Sequence, residues 1–390
     1  MERPKPEMPI TYYKPGRIES LDSIRGLAAL AVLLSHTLGT LEWPSSLSWR
    51  FLPFINIMFD GRSAVAMFFV LSGFVLARPY FAPAGQTSRR LLVPAFYVRR
   101  ITRIWIPWFL VFCLSIFAKA YLVGNYTTNP PTTKWLEYLW HSPMTVSTFL
   151  RQCAFAIEDT KYQLLPQDWS LRIELKGSAL IPVFLFLIRR HILLLLGFSL
   201  LLLVFLSSGE YYVSFALGVL MAQYYVRGES QIRSLRFSAK LGILIVGLLL
   251  YQTRFGATCL EMPRYFDKAT WCACSAGCVL ILAASLGSRR IQAVLNHGAI
   301  TFLGRISYSV YLLQFIVLLC FLPPFVHGLN MSGIQSAILL VPLTIAFSVL
   351  VTVACSAITY RIVEVPSIEF GHRLTKLMHR GFSKEAPASG

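Results

Sequence analysis

Leu21-Asp22-Ser23-Ile24-Arg25-Gly26-Leu27-Ala28-Ala29-Leu30-Ala31-Val32-Leu33-Leu34-Ser35-His36 reads as an apolar, helix-forming run that carries ionisable groups where a membrane span should have none. Each such group costs about 2.5–3.5 kcal/mol on insertion scales, so each needs a reason. Arg25 and His36 stand eleven positions apart. At about 100° per residue, that spacing returns to within about 20° of the starting face after a rise of roughly 16 Å. Both side chains therefore line one face, Arg25 near one membrane surface and His36 about half-way through the hydrocarbon. Asp22 precedes Arg25 by three and can pair with it on the same side.

The rest of the chain follows the same plan. Of 390 residues, 55% are hydrophobic and only 14% charged, where a soluble protein carries nearer a quarter. The apolar residues come in continuous runs of about twenty, which suits helices and not the alternating strands of a barrel. We expect an all-α integral membrane protein, a bundle of about ten transmembrane helices near 21–42, 62–81, 104–123, 169–188, 191–207, 211–226, 241–253, 269–286, 305–326 and 334–359. The net charge of +18 reflects topology and does not imply a nucleic acid partner. Its clusters are Arg89-Arg90, Arg99-Arg100 with Arg103, Arg189-Arg190, Arg227 to Lys240, and Arg289-Arg290, all in alternate connecting segments. The positive-inside rule puts those segments, and both termini, in the cytoplasm. Residues 1–20 and 367–390 are then cytoplasmic tails flanking a membrane domain at 21–366. The longest outer segment, 124–168, mixes Pro130, Pro131 and Pro143 with Phe149 and Phe155. Cys272, Cys274 and Cys278 read as buried thiols, and no metal site is expected.

A second polar cluster opens the fourth expected span: Asp168-Trp169-Ser170-Leu171-Arg172-Ile173-Glu174-Leu175-Lys176. Glu174 could hold His36 in one tautomer, help bind an acceptor, or form a structural ion pair between spans. Arg99, Arg100 and Arg103 are either positive-inside anchors or a phosphate clamp, since guanidinium forks match phosphate oxygens. Together the residues describe a polar passage with Arg25 at its mouth and His36 inside it. A transporter path and a receptor with structural charges use the same kinds of residue.

In order along the chain, Leu21-Asp22-Ser23-Ile24-Arg25-Gly26-Leu27-Ala28-Ala29-Leu30 through His36, Phe68-Phe69-Val70-Leu71-Ser72-Gly73-Phe74, Arg100-Ile101-Thr102-Arg103, Trp169-Ser170-Leu171 with Glu174, Gly304-Arg305-Ile306-Ser307-Tyr308-Ser309-Val310-Tyr311-Leu312, and Arg361-Ile362-Val363-Glu364-Val365-Pro366 resemble the landmarks of the acyltransferase 3 family. That family consists of multi-spanning membrane acyltransferases. The sequence departs from it in having Leu175 where many members carry a second Glu, and Gln314 where many carry His.

The resemblance implies transfer of an acyl group, commonly acetyl, from coenzyme A to a hydroxyl on a sugar such as an envelope polysaccharide, on a lipid, or on a secondary metabolite. Acyl-CoA would be a co-substrate, with no bound cofactor. His36 and Arg25 would be catalytic, Asp22 and Glu174 supporting, and Arg100 and Arg103 would hold the donor. The location would be a plasma or inner membrane, or an internal one.

Overall fold

A computed structural model of the protein describes residues 16–40, 53–83, 86, 91–121, 140, 144–157, 164–259, 263 and 266–384. Arg89, Arg90 and most of the first half of segment 124–168 lie outside the described residues. Among the described residues the fold is all-helical and contains no strand.

The principal helices are α1 (Glu19–Gly39), α2 (Gly61–Ala77), α3 (Val93–Tyr121), α4 (Val146–Cys153), α5 (Asp168–Arg190), α6 (Ile192–Phe205), α7 (Gly209–Ser234), α8 (Phe237–Tyr251), α9 (Asp267–Gly287), α10 (Gly298–Ile316), α11 (Leu322–Met331), α12 (Ala337–Thr359) and α13 (Val365–Lys384). Their ends follow local chemistry. Asp60 caps α2 by accepting from Ser63 N at 3.0 Å and Ser63 Oγ at 2.6 Å. Thr145 and Thr148 form a reciprocal capping box on α4. Two π-helical turns, Val317–Phe321 and Tyr360–Glu364, join α10 to α11 and α12 to α13. The 367–390 tail expected from the sequence is therefore helical through Lys384.

Seven helical stretches among the described residues are long and apolar enough to cross a membrane. They cover four of the expected spans closely; a fifth, Val93–Ala120, starts eleven residues before the expected 104 and takes in Arg99, Arg100 and Arg103, and two are longer than expected, Gly298–Met331 and Ala337–Met378. The expected spans at 169–188, 191–207 and 211–226 do not reach that standard. Helix α5 carries Asp168, Arg172, Glu174 and Lys176 in its first nine residues, and α6 has only fourteen residues. Helix α7 is diluted by Tyr211, Tyr212, Gln223, Tyr224 and Tyr225.

Two glycine crossings set the geometry of the bundle. A Cβ on Gly26 of α1 would lie 2.5 Å from the backbone nitrogen of Gly304 in α10. A Cβ on Gly218 of α7 would lie 2.7 Å from the nitrogen of Phe74 in α2. Without side chains at those points the backbones approach closely, as small residues allow in membrane bundles. Thr344, Ser348, Thr352 and Ser356 form a fully buried stripe at every fourth position of α12, giving that helix an equally slim packing face. Around these crossings Phe69, Phe74, Trp108, Phe112, Phe215 and Trp271 fill the core.

Candidate active site

The crossing at Gly26 and Gly304 places Arg25 beside the α10 residues Ser307 and Tyr308, all of which line one cavity. Asp22 Oδ1 accepts from Arg25 Nη1 at 3.2 Å, the pairing their spacing predicts. Its other oxygen, Oδ2, accepts from Arg17 Nε at 2.8 Å. That hydrogen bond raises the pKa of the Arg17 guanidinium above its ordinary value.

Helix α3 contributes the next cations. Arg100 and Arg103 are one turn apart and line the same cavity as Arg25, whereas Arg99 borders neither that cavity nor the vestibule outside it. Arg100 Nη2 donates to Glu174 Oε1 of α5 at 2.5 Å, and Ser72 Oγ of α2 donates to the same oxygen at 2.8 Å. Glu174 thus meets Arg100 and not His36, so of the roles its sequence position left open, the structure supplies the ion pair between helices. Both partners are 14% exposed. Arg103 is exposed and makes no hydrogen bond or ion pair among the described residues. Its guanidinium is available to an anion.

These groups surround two connected spaces. The inner cavity, of about 150 Å³, has Arg25, Arg100, Arg103 and Glu174 on its walls and Phe68, Phe69, Leu171, Ser170 and Tyr311 among its lining. The outer vestibule, of about 650 Å³, is lined by Arg17, Arg78 and Arg305 as well as Arg25 and Arg103, against the carboxylates Asp22, Glu364 and Glu369. Arg25, Arg103, Ser307 and Tyr308 border both spaces. The combined site is a basic mouth narrowing into a largely apolar slot. Such a shape admits a ligand with an anionic head and a slender neutral arm.

His36 does not line either space. Its Nδ1 lies 3.0 Å from Gln314 Oε1, and its ring lies 4.7 Å from that of Phe315. The slot stops short of it at Tyr311, whose hydroxyl is 2.5 Å from Ser170 Oγ and whose ring meets Phe68 edge-on at 5.8 Å. Tyr311 and Gln314 are three residues apart on α10, an axial rise of about 4.5 Å. The imidazole therefore meets α10 through the residue one turn after Tyr311. Arg25 and His36 share a helix face, as their spacing requires, but a partition stands between them.

Sequence reasoning missed several of these positions. Gln314 stood out only as a departure from a motif, with nothing local to point at His36. Arg17, Arg78 and Arg305 have the sequence signature of any interfacial arginine. Asp168, 2% exposed, accepts from Trp108 Nε1 at 2.7 Å and Gln152 Nε2 at 2.8 Å, and so ties α3 and α4 to the start of α5. Glu364 is 3% exposed, accepts from Ser309 Oγ at 2.9 Å, and stands on the second π-turn at the vestibule wall. Its signal was its place in the last quoted landmark, and π-turns of this kind often mark functional positions.

Neither a curated protein nor a solved structure matches the chain. A family match does exist, and it covers residues 18–361, nearly the whole chain. With its membrane-length apolar helices and a site of this form, the protein is an integral membrane acyltransferase, belonging to the acyltransferase 3 family through its acyltransferase domain.

Proposed function

We propose that the protein moves an acyl group, acetyl in the simplest case, from acyl-CoA to a hydroxyl of a carbohydrate, glycolipid or small product, in a reaction that spans the membrane. The observation that carries this reading is the continuous basic vestibule and slot, whose floor residue Tyr311 stands three positions before the partner of His36. Arg103 and Arg100 hold donor phosphates, assisted by the vestibule arginines, and the pantetheine arm runs along the slot. Arg25, at the mouth of the slot, orients the donor. His36 takes the proton of the acceptor hydroxyl as the C–O bond forms and the C–S bond breaks, and the proton passes to the departing CoA sulfur. A well-placed base of this kind contributes about 10²–10⁴ in rate. Transient acylation of His36 is a variant of the same chemistry. Asp22 and Glu174 support the site by orienting Arg25 and Arg100.

The topology that serves this reaction has ten spans. Helices α5, α6 and α7 complete the seven apolar ones: in α5, Asp168 is buried against Trp108 and Gln152, Arg172 donates to the Ile157 carbonyl and Glu174 pairs with Arg100. Residues 1–20 and 367–390 are cytosolic tails of a multi-pass domain at 21–366, with the vestibule on the cytosolic side. His36, deeper in the membrane, then meets an acceptor arriving from the far side.

Radiolabelled acetyl-CoA supplied to membranes, together with mass spectrometry of envelope glycans and small products from cells with and without the gene, tests the reading. The expected product is heavier by one acyl unit. His36→Ala and Arg25→Ala should each abolish transfer while leaving membrane insertion intact. Normal activity in a well-expressed His36→Ala protein defeats the assignment.

A further inference from the structure

Gln314 is fully buried on α10, and both ends of its amide are occupied. Nε2 donates to the carbonyl oxygen of Tyr311 at 2.9 Å, one turn back on the same helix. Oε1 faces His36 Nδ1 at 3.0 Å. The two ends of an amide cannot be exchanged freely here. Reversing them would set Oε1 against the Tyr311 carbonyl, acceptor against acceptor, and forfeit a buried hydrogen bond worth about 0.5–1.5 kcal/mol net.

We propose that Gln314 is a positioning residue that fixes His36 in the Nδ1–H tautomer, leaving Nε2 as the nitrogen with the lone pair. This inference rests on the proposed role of His36 as the base. Because the amide orientation is set by the Tyr311 carbonyl, the atom facing Nδ1 is an acceptor, and Nδ1 must donate to it. The neighbouring Phe315 ring, 4.7 Å away and tilted by 44°, limits rotation of the imidazole about its own axis. Gln314 is neutral, so it selects a tautomer and an orientation without placing a counter-charge beside the ring, unlike the carboxylate that often serves a catalytic histidine.

The orienting chain runs further. The carbonyl that holds Gln314 belongs to Tyr311, whose hydroxyl meets Ser170 at the floor of the slot. Gln167 Nε2, on the loop before α5, donates to the next carbonyl, Leu312 O, at 2.9 Å. The base is thus held through the same helical turn that closes the donor space.

The test compares Gln314→Met, which keeps the volume and removes the oxygen, with Gln314→Glu, which keeps an oxygen toward Nδ1. Acetyl transfer from acetyl-CoA and ¹⁵N-histidine NMR of protein in nanodiscs are both measured, with His36→Gln used to assign the His36 signals. We expect Gln314→Met to lower kcat about 10- to 100-fold, part of what a positioned base supplies, at unchanged KM for acetyl-CoA. Gln314→Glu should stay within a few-fold of wild type. The NMR should show Nδ1–H in wild type and in Gln314→Glu, and loss of that single tautomer in Gln314→Met. An Nε2–H tautomer in the wild-type protein overturns the inference, as does a Gln314→Met protein with wild-type kcat and an unchanged tautomer. An active His36→Gln enzyme would overturn the base assignment alone, because the tautomer is read without reference to turnover.

Discussion

Arg103→Ala isolates donor binding from folding. Arg103 is exposed, borders both the vestibule and the slot, and has no hydrogen-bond or ion-pair partner among the described residues. Its removal breaks no hydrogen bond or ion pair among the described residues. A unit charge pair at about 4 Å is worth about 4 kcal/mol at an effective dielectric of 20 and about 1 kcal/mol in bulk water. Arg103 faces a vestibule of about 650 Å³, so solvent screening keeps the contribution near the lower end, about 1–2 kcal/mol. That corresponds to a rise of roughly 5- to 30-fold in the Kd for coenzyme A. The assay is equilibrium binding of coenzyme A to purified protein in nanodiscs at two salt concentrations, alongside thermal unfolding. The difference between wild type and Arg103→Ala should shrink as salt rises, and Tm should not move. Arg99→Ala is the control, since it removes the same charge from the same helix but from a position that borders neither space. Equal Kd values for wild type and Arg103→Ala at low salt, or an equal loss in Arg99→Ala, would refute the assignment of a phosphate site here.

Three further outcomes follow from packing and from the floor of the slot. Gly26→Ala puts a methyl group 2.5 Å from the Gly304 nitrogen and 2.8 Å from the Leu303 carbonyl carbon, where backbone cannot give way locally. It should cost about 1–3 kcal/mol, read as a lower Tm in detergent; an unchanged Tm would contradict the close crossing. Asp168→Ala leaves the buried donors Trp108 Nε1 and Gln152 Nε2 without their acceptor, at about 1–3 kcal/mol each. Its thermal unfolding should shift down more than that of Gly26→Ala, and a smaller shift would mean the carboxylate is not the tie between α3, α4 and α5. Tyr311→Ala removes the ring that closes the slot, so acetyl-CoA hydrolysis without acceptor should rise several-fold; a wild-type hydrolysis rate would show that the ring is no barrier.

The legible part of the site is the part that one helix supplies. Asp22, Arg25 and His36 lie on α1, so a spacing of 3.6 residues per turn was enough to place them on one face. Arg100 and Arg103 were also legible as a pair, being one turn apart. Which partner each would meet was not legible, because partners come from other helices. Glu174 approaches Arg100 across 74 positions of chain, and Gln314 approaches His36 across 278. Hydropathy explains the difference in spans. It counts charges without regard to their partners, so it penalises α5 for Asp168, Arg172 and Glu174, all of which meet groups inside the protein. Of these, Glu174 marks α5 as part of the site.

The partition between Arg25 and His36 was equally illegible, since a shared helix face says nothing about what a neighbouring helix inserts there. Its position makes chemical sense under the proposed reaction. A thioester beside a base in a wide aqueous mouth would be hydrolysed, because water is the most abundant hydroxyl present. The floor of Phe68, Tyr311 and Ser170 keeps the base apart from the vestibule. The floor and the base are also coupled through covalent structure: Tyr311 closes the slot with its side chain and anchors Gln314 with its carbonyl. A rotation of the Tyr311 side chain alone can open the way while its backbone keeps Gln314, and with it the imidazole, in place. A shift of the α10 backbone would open the floor but loosen the base at the same moment. Only the first motion is compatible with efficient transfer, and it gives up the hydroxyl contact to Ser170 and the edge-on packing against Phe68.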